Sequence, residues 1–152
     1  MAVLKAARTA QQPLVAEFVF NFNDTAVDTV ALTSKTFGST YTDALVFDAI
    51  PMPVGAVICG GEVVVETAYV GPTASTVSVG IAGATTSLAA TVDLLTATRT
   101  ALTLSTTAMF KGNTGTNIRL TFAHTVANAT AGKARVRVMY TLDGRAQENI
   151  GA

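Results

Sequence analysis

The chain has no tryptophan, one cysteine (Cys59), one histidine (His124) and four prolines among 152 residues. A lone cysteine excludes an internal disulfide framework and a cysteine-based metal cluster, and a lone histidine leaves little for a histidine-rich metal site. Charge is scarce as well. Charged residues make up 13% of the chain, about half the share in an ordinary soluble domain. Ten basic and ten acidic residues cancel, so no net field draws the chain to nucleic acid or to an anionic membrane. No apolar run approaches the ~20 residues of a membrane-spanning helix. The apolar stretches between Met1 and Pro13 are too short for a signal-peptide core. Hydrophobic residues still reach 49%, which excludes a disordered chain. The expectation is one neutral, soluble domain that buries roughly 70% of its unfolded surface. A surface so poor in charge is either covered with Ser and Thr or consumed by contact with a partner, and both are expected here.

What the chain does have is alternation. Residues 1–13 read as an extended N-terminal arm, with Lys5 and Arg8 but no strong apolar period, closed by Pro13, which disfavours helix at Gln12. From Leu14 the period is two: Leu14, Ala16, Phe18, Phe20 and Phe22 share one face, Glu17 and Asn21 the other. Strands are expected at 26–32, at 35–37 as a short edge, and at 44–50 with Leu45 and Phe47 inward. Pro51-Met52-Pro53 then forces a corner. Residues 62–70 place Val63, Val65, Thr67 and Tyr69 on one face, and with 75–81 they read as a long hairpin across Gly71-Pro72. Residues 82–100 are Thr-rich, with Leu88, Val92 and Leu95 at helical spacing, and read as a loop with at most one helical turn. Strands follow at 101–105, 117–123 and 134–142, with a turn at 111–115 and an irregular tail. About eight short strands with Gly/Pro turns predict an all-β fold: an antiparallel, jelly-roll-like β-sandwich over residues 14–146, with a C-terminal tail at 147–152.

Net neutrality hides a segregation. Residues 1–16 carry two bases; residues 17–98 carry eight acids and one base; residues 99–152 carry seven bases and two acids. Because early and late strands interleave in such a sandwich, the simplest reading is internal charge balance. The sharper one is a pair of opposed patches that meet between subunits. Arg135 and Arg137 share a strand face, with Arg119 expected alongside, and pairing with Glu62 and Glu66 is the expected use. Interleaved aromatics for stacking on nucleic acid are missing from that face.

No motif carries catalysis. His124 is the one neutral-pH base, at a strand end, and is expected to face solvent or a neighbour. No Gly-x-Ser-x-Gly elbow marks a nucleophile. Asp24 with Asp28, Asp43 with Asp48, and Glu62 with Glu66 pair by spacing alone, and no Asp-x-Asp-x-Asp-Gly loop indicates calcium. Gly132-Lys133 lacks the upstream Gly of a phosphate loop, Ala127 standing there instead. Cys59 reads as a small buried hydrophobe, and Gly60-Gly61 as a bulge or hairpin requirement. No catalytic, cofactor or metal residue is assigned.

The segment from Val54-Gly55-Ala56 through Gly60-Gly61 to Thr67-Ala68-Tyr69 resembles small tailed-bacteriophage virion proteins. So do Val77-Ser78-Val79-Gly80, Arg99-Thr100-Ala101-Leu102, the run from Ala131-Gly132-Lys133 to Val138-Met139-Tyr140, and Asp143-Gly144-Arg145-Ala146. The likeness, over about residues 44–146, is to jelly-roll capsid decoration (cement) proteins. It implies a non-enzymatic protein on the capsid exterior, assembled in the bacterial host cytoplasm. Such a protein forms a homodimer or homotrimer and bridges neighbouring subunits of the phage major capsid protein. Lys5, Arg8, Arg135 and Arg137 are the candidate capsid or subunit contacts, and the arm is expected to order on binding. The alternative is a jelly-roll binding module of a tail or head fibre that recognises host carbohydrate. The lack of Trp, and the core-facing positions expected for Tyr69 and Tyr140, count against that reading.

Overall fold

The computed structural model describes residues 8–9, 12–40, 43–104, 117–142 and 147–148, and among them no residue is helical. The strands in chain order are β1 (Arg8–Thr9), β2 (Leu14–Asn21), β3 (Thr25–Val27), β4 (Ser34–Thr36), β5 (Leu45–Pro51), β6 (Ala56–Val70), β7 (Ala74–Ile81), β8 (Ala84–Asp93), β9 (Arg99–Ala101), β10 (Asn117–Thr125), β11 (Ala131–Leu142) and β12 (Gln147–Glu148). Eight of them build two four-stranded antiparallel sheets, ordered β2-β11-β6-β9 and β5-β10-β7-β8. Two short ribbons, β1-β12 and β3-β4, complete the described structure. Among the eight sandwich strands nearly every connection crosses from one sheet to the other, and β7–β8 joins neighbours within a sheet. That interleaving is the double Greek key of a jelly-roll-like sandwich.

Alternation explains the layers. Inward residues of the central strand β11 (Ala134, Val136, Val138) and of β10 (Ile118, Leu120, Phe122) are buried, while the residues between them face out. Phe20, Phe37, Phe47 and Phe122 form the centre of the core, with ring centroids 4.9 Å apart for Phe20–Phe122 and for Phe37–Phe47. Two glycines allow close approach. Gly132 (φ +147°) lies beneath the Tyr69 ring, where a Cβ would sit inside the ring's contact distance. Gly61 (φ +152°) lies against the Arg137 carbonyl and Leu102, next to the register shift between Met139 and Tyr140. Positive φ at both is a conformation that only glycine adopts without strain.

Several expectations are corrected. β6 and β7 do not form a hairpin, because Gly71-Pro72 carries the chain between sheets: β6 pairs with β11 and β9, and β7 with β10 and β8. Each strand has one apolar face, and stacking across the core buries both. The 82–100 segment contains the ten-residue β8. Leu88 and Val92 share the core face at an even spacing that fits alternation as well as a helix, and a register shift against β7 brings Ala89, three residues from Val92, onto that face as well; the Thr residues of β8 favour the strand. The 26–32 strand stops at Val27, after which Asp28 organises a turn in which Leu32 has φ +54°. The 101–105 strand is β9, which begins two residues earlier than read and ends at Ala101. Thr67 is exposed, since the β6–β11 register skips Glu66 between Val65 and Thr67. In the tail, Gln147–Glu148 pairs with Arg8–Thr9. The 111–115 turn lies outside the described residues.

Candidate interaction face

The outer face of the β2-β11-β6-β9 sheet gathers seven charged side chains from four strands. The register sets them out in rungs. Glu17, Arg137 and Glu62 lie side by side, and so do Val19, Arg135 and Val64, with Arg99 beyond Val64. Arg137 donates through Nε to Glu17 and through Nη1 to Glu62 Oε1 at 3.4 Å. Arg135 reaches diagonally to Glu66, and to Glu17 at 3.5 Å. Lys133 Nζ meets Glu66 at 2.9 Å. Arg99 donates Nε to Glu62 Oε2 at 2.9 Å and Nη2 to Oε1 at 2.8 Å. The hydrogen bond from Arg137 lowers the Glu17 carboxyl from its ordinary value, against the smaller opposing effect of burial, and the same contact raises Arg137. Beside this lattice an open groove of about 580 Å³ runs between Val15, Met139, Arg137 and Arg99.

Arg135 and Arg137 therefore sit together, paired with Glu62 and Glu66 as expected, and with Glu17 as well. Arg119 is not beside them. It lies in the other sheet, donating to Asp48 at 2.7 Å, with Asn117 also on that carboxylate at 3.1 Å. Among the described residues, each base of the 99–152 block holds an acid of the 17–98 block, so the segregation in sequence becomes balance in space. Lys5 lies outside the described residues. The backbone of Arg8 is in β1, apart from the Arg135–Arg137 lattice in the pairing pattern.

The other candidates resolve locally. His124 is buried, not solvent-facing. Its Nε2 meets the Phe37 carbonyl, which can only accept, so Nε2 carries the proton and Nδ1 accepts from Ser75 Oγ at 2.7 Å. Burial lowers its pKa, opposed in part by the Phe37 carbonyl. Ser75 is fully buried and His124 nearly so, and the pair acts as a polar tie between β7, β10 and the turn at Phe37. Asp28 is buried against Lys35 at 2.9 Å. Burial alone would raise its carboxyl, but the Ala31 N–H, Lys35 and the Val30 and Val46 N–H groups outweigh it and hold the group well below the usual carboxylate range. Asp24 accepts from the backbone and side chain of Asn21. The described residues hold no group of three metal-ligating side chains. Cys59 is exposed, not buried: the register shift beside Gly60 turns it outward on β6.

Sequence reasoning missed Arg99 and the full role of Glu17. Glu17 was legible as an outward residue of β2, but its partners depend on β11 lying beside β2, which local pattern does not reveal.

No family model matches the chain, and no curated protein matches it. Among solved structures it is similar to a chain of the cyanophage Pam1 capsid asymmetric unit. The TM-score is 0.55 at 24% identity, over 93% of this chain and 94% of that one. The two share a fold along nearly their whole lengths.

Proposed function

We propose that the protein is a structural component of a phage virion, bound outside an icosahedral capsid, where it stabilises the shell by bridging neighbouring major capsid subunits. The observation that carries this reading is the fold shared end to end with a chain from a phage capsid; the motifs of residues 44–146 point the same way. The physical character of the chain supports it. Charges are sparse and neutralise one another, His124 and Ser75 are buried, and large faces consist of Thr, Ser and short apolar residues. Such a surface suits broad, symmetric protein contacts. In this reading the arm, with Lys5 and Arg8, orders on a capsid neighbour, and Arg135 and Arg137 exchange intramolecular carboxylates for those of the shell.

The test is copy number in gradient-purified particles, by quantitative mass spectrometry against the most abundant shell subunit. A count of the same order as the shell protein supports the proposal. A handful of copies points to a tail or fibre module, and absence from particles refutes any virion role. Deleting residues 1–13 should weaken binding to capsids; unchanged affinity removes the arm from the reading.

A further inference from the structure

Strand β2 ends its sheet, and its eight residues pair with β11 without a register break. The Phe22 N–H to Gly132 carbonyl bond, 3.0 Å, fixes the phase of that ladder. Even-numbered residues of β2 turn their backbone groups to β11, and odd-numbered ones turn theirs to the open edge. At Asn21 the outward groups are closed by Asp24: the Asn21 N–H donates to Asp24 Oδ2 at 2.7 Å, and the Asp24 N–H donates to the Asn21 carbonyl at 3.1 Å. No described residue bonds the outward N–H and C=O groups of Val15, Glu17 and Val19. The devices that guard other sheet edges are missing from this one. β8 is bulged, and β5 is covered by the Thr29 N–H and the Asp28 carboxylate at Val46. β2 has no bulge, lysine or proline. A straight, mostly apolar edge with a single charge, Glu17, already held by its own sheet, is a template for another strand. The core below it is also half open: Ala16 and Phe18 are only partly buried, whereas Val136 and Val138 beside them are 0% exposed.

We infer that the β2 edge pairs with β2 of a second copy, antiparallel about a two-fold axis near Phe18, joining two four-stranded sheets into one of eight strands. Charge selects this occupant. The only charge on β2 is Glu17, already answered by Arg137 and Arg135 of its own sheet, and the whole chain is neutral. Two copies thus approach without repulsion, and a strongly charged partner gains no steering. Like charges directly opposite are unfavourable, so Glu17 of one copy stands opposite Val19 of the other. Each of the two Glu17–Val19 rungs then exchanges both main-chain bonds. The inference does not depend on capsid binding.

Sedimentation velocity of the full chain, alone in solution, tests it by the sign of one charge. Wild type should sediment at twice the chain mass. Val19→Glu faces its own sheet's Arg135, which favours the fold, but it sets carboxylate against Glu17 of the other copy. It should weaken the dimer at least tenfold. Val19→Lys sets a base against that Glu17 and should keep the dimer. A monomeric wild type, or a dimer indifferent to Val19→Glu, overturns the inference, as does equal disruption by both variants. Amide exchange needs no variant: Glu17 and Val19 should become protected as wild-type concentration rises. Rapid exchange at those two amides in an associated sample places the contact elsewhere and refutes the pairing. If the dimer forms but capsids are not bound, the capsid reading fails and this one stands.

Discussion

Removing the Asp28 carboxylate should destabilise the chain more than the loss of any exposed ion pair. Its side chain is 2% exposed. Oδ1 accepts from the N–H groups of Val30 (2.7 Å) and Ala31 (2.9 Å), and Oδ2 from Lys35 Nζ (2.9 Å) and the Val46 N–H (3.4 Å). Asp28→Ala deletes all four acceptors and leaves the Lys35 ammonium, 11% exposed, without its carboxylate. Deleting one member of a buried pair costs about 3–5 kcal/mol. Lys35 keeps some access to water, so the lower end, about 3 kcal/mol, is expected, a large share of a total near 5–15 kcal/mol. Asp28→Asn keeps an oxygen for Val30 and Ala31 but turns an amide donor toward Lys35 and Val46, for a loss of about 2 kcal/mol. Lys35→Met leaves the buried carboxylate with its three backbone donors but without its cation, and should cost about 1.5–3 kcal/mol, the range for a charged hydrogen bond. Urea unfolding at pH 7, followed by circular dichroism at a common m-value, reads the order directly. The folded-state pKa of Asp28 lies below its ordinary 3.8. Its stabilisation is therefore complete above that value and is lost as pH falls from there toward the folded pKa. Asp28→Ala should flatten that acid limb. If Asp28→Ala unfolds within about 0.5 kcal/mol of wild type, the range of neutral surface changes, the buried knot does not stabilise the fold.

Other outcomes follow from single sites. His124 is neutral in the folded state with its pKa lowered by burial, so below about pH 6.5 the unfolded chain binds a proton that the folded one refuses. Stability should decline as pH falls below that point and be unaffected above about pH 8. Urea melts between pH 5 and 8 should show this in wild type and a flat profile in His124→Gln. Gly132→Ala meets both positive φ and the Tyr69 ring and should cost about 2 kcal/mol or more, lowering Tm by roughly 4–8 °C; an unchanged melt refutes the close approach. Cys59 is exposed and should react fully with a thiol reagent under native conditions, whereas labelling only on unfolding would return it to the interior.

The fold class could be read in advance because its signal is local. Period-two runs such as Leu14–Asn21 and Ala131–Leu142 state which side chains face in, and Pro51-Met52-Pro53 states where a strand must end. Reading failed where register shifts break the period, as in β8, or where a polar side chain replaces the ladder, as Asp28 does after Val27. Pairing was the harder problem. An alternating strand is equally content beside its neighbour in sequence or stacked across the core, which is why β6 and β7 read as a hairpin. The ionic face shows the same division. The outward direction of Arg135, Arg137, Glu62 and Glu66 follows from alternation, but Arg99 and Glu17 join them only through strand order. His124 sat at a strand end as read, but the turn at Phe37 that folds over it comes from 87 residues away.

The position of β11 also sets a timetable for folding. It lies between β2 and β6, and its Arg137 meets Glu17 across 120 residues of chain. Of the three ladders in that sheet, only β6–β9 can close before residues 131–142 have left the ribosome. Until then β2 and β6 hold their apolar faces apart, like two leaves of a book without its spine. Closure over so long a loop is slow, on the millisecond-to-second scale of sandwich folds. The incomplete chain meanwhile presents open strands to its neighbours. Its lack of charge, which suits a surface made for contact, leaves little to keep those nascent chains apart, so yield in expression should depend on how quickly β11 finds its slot.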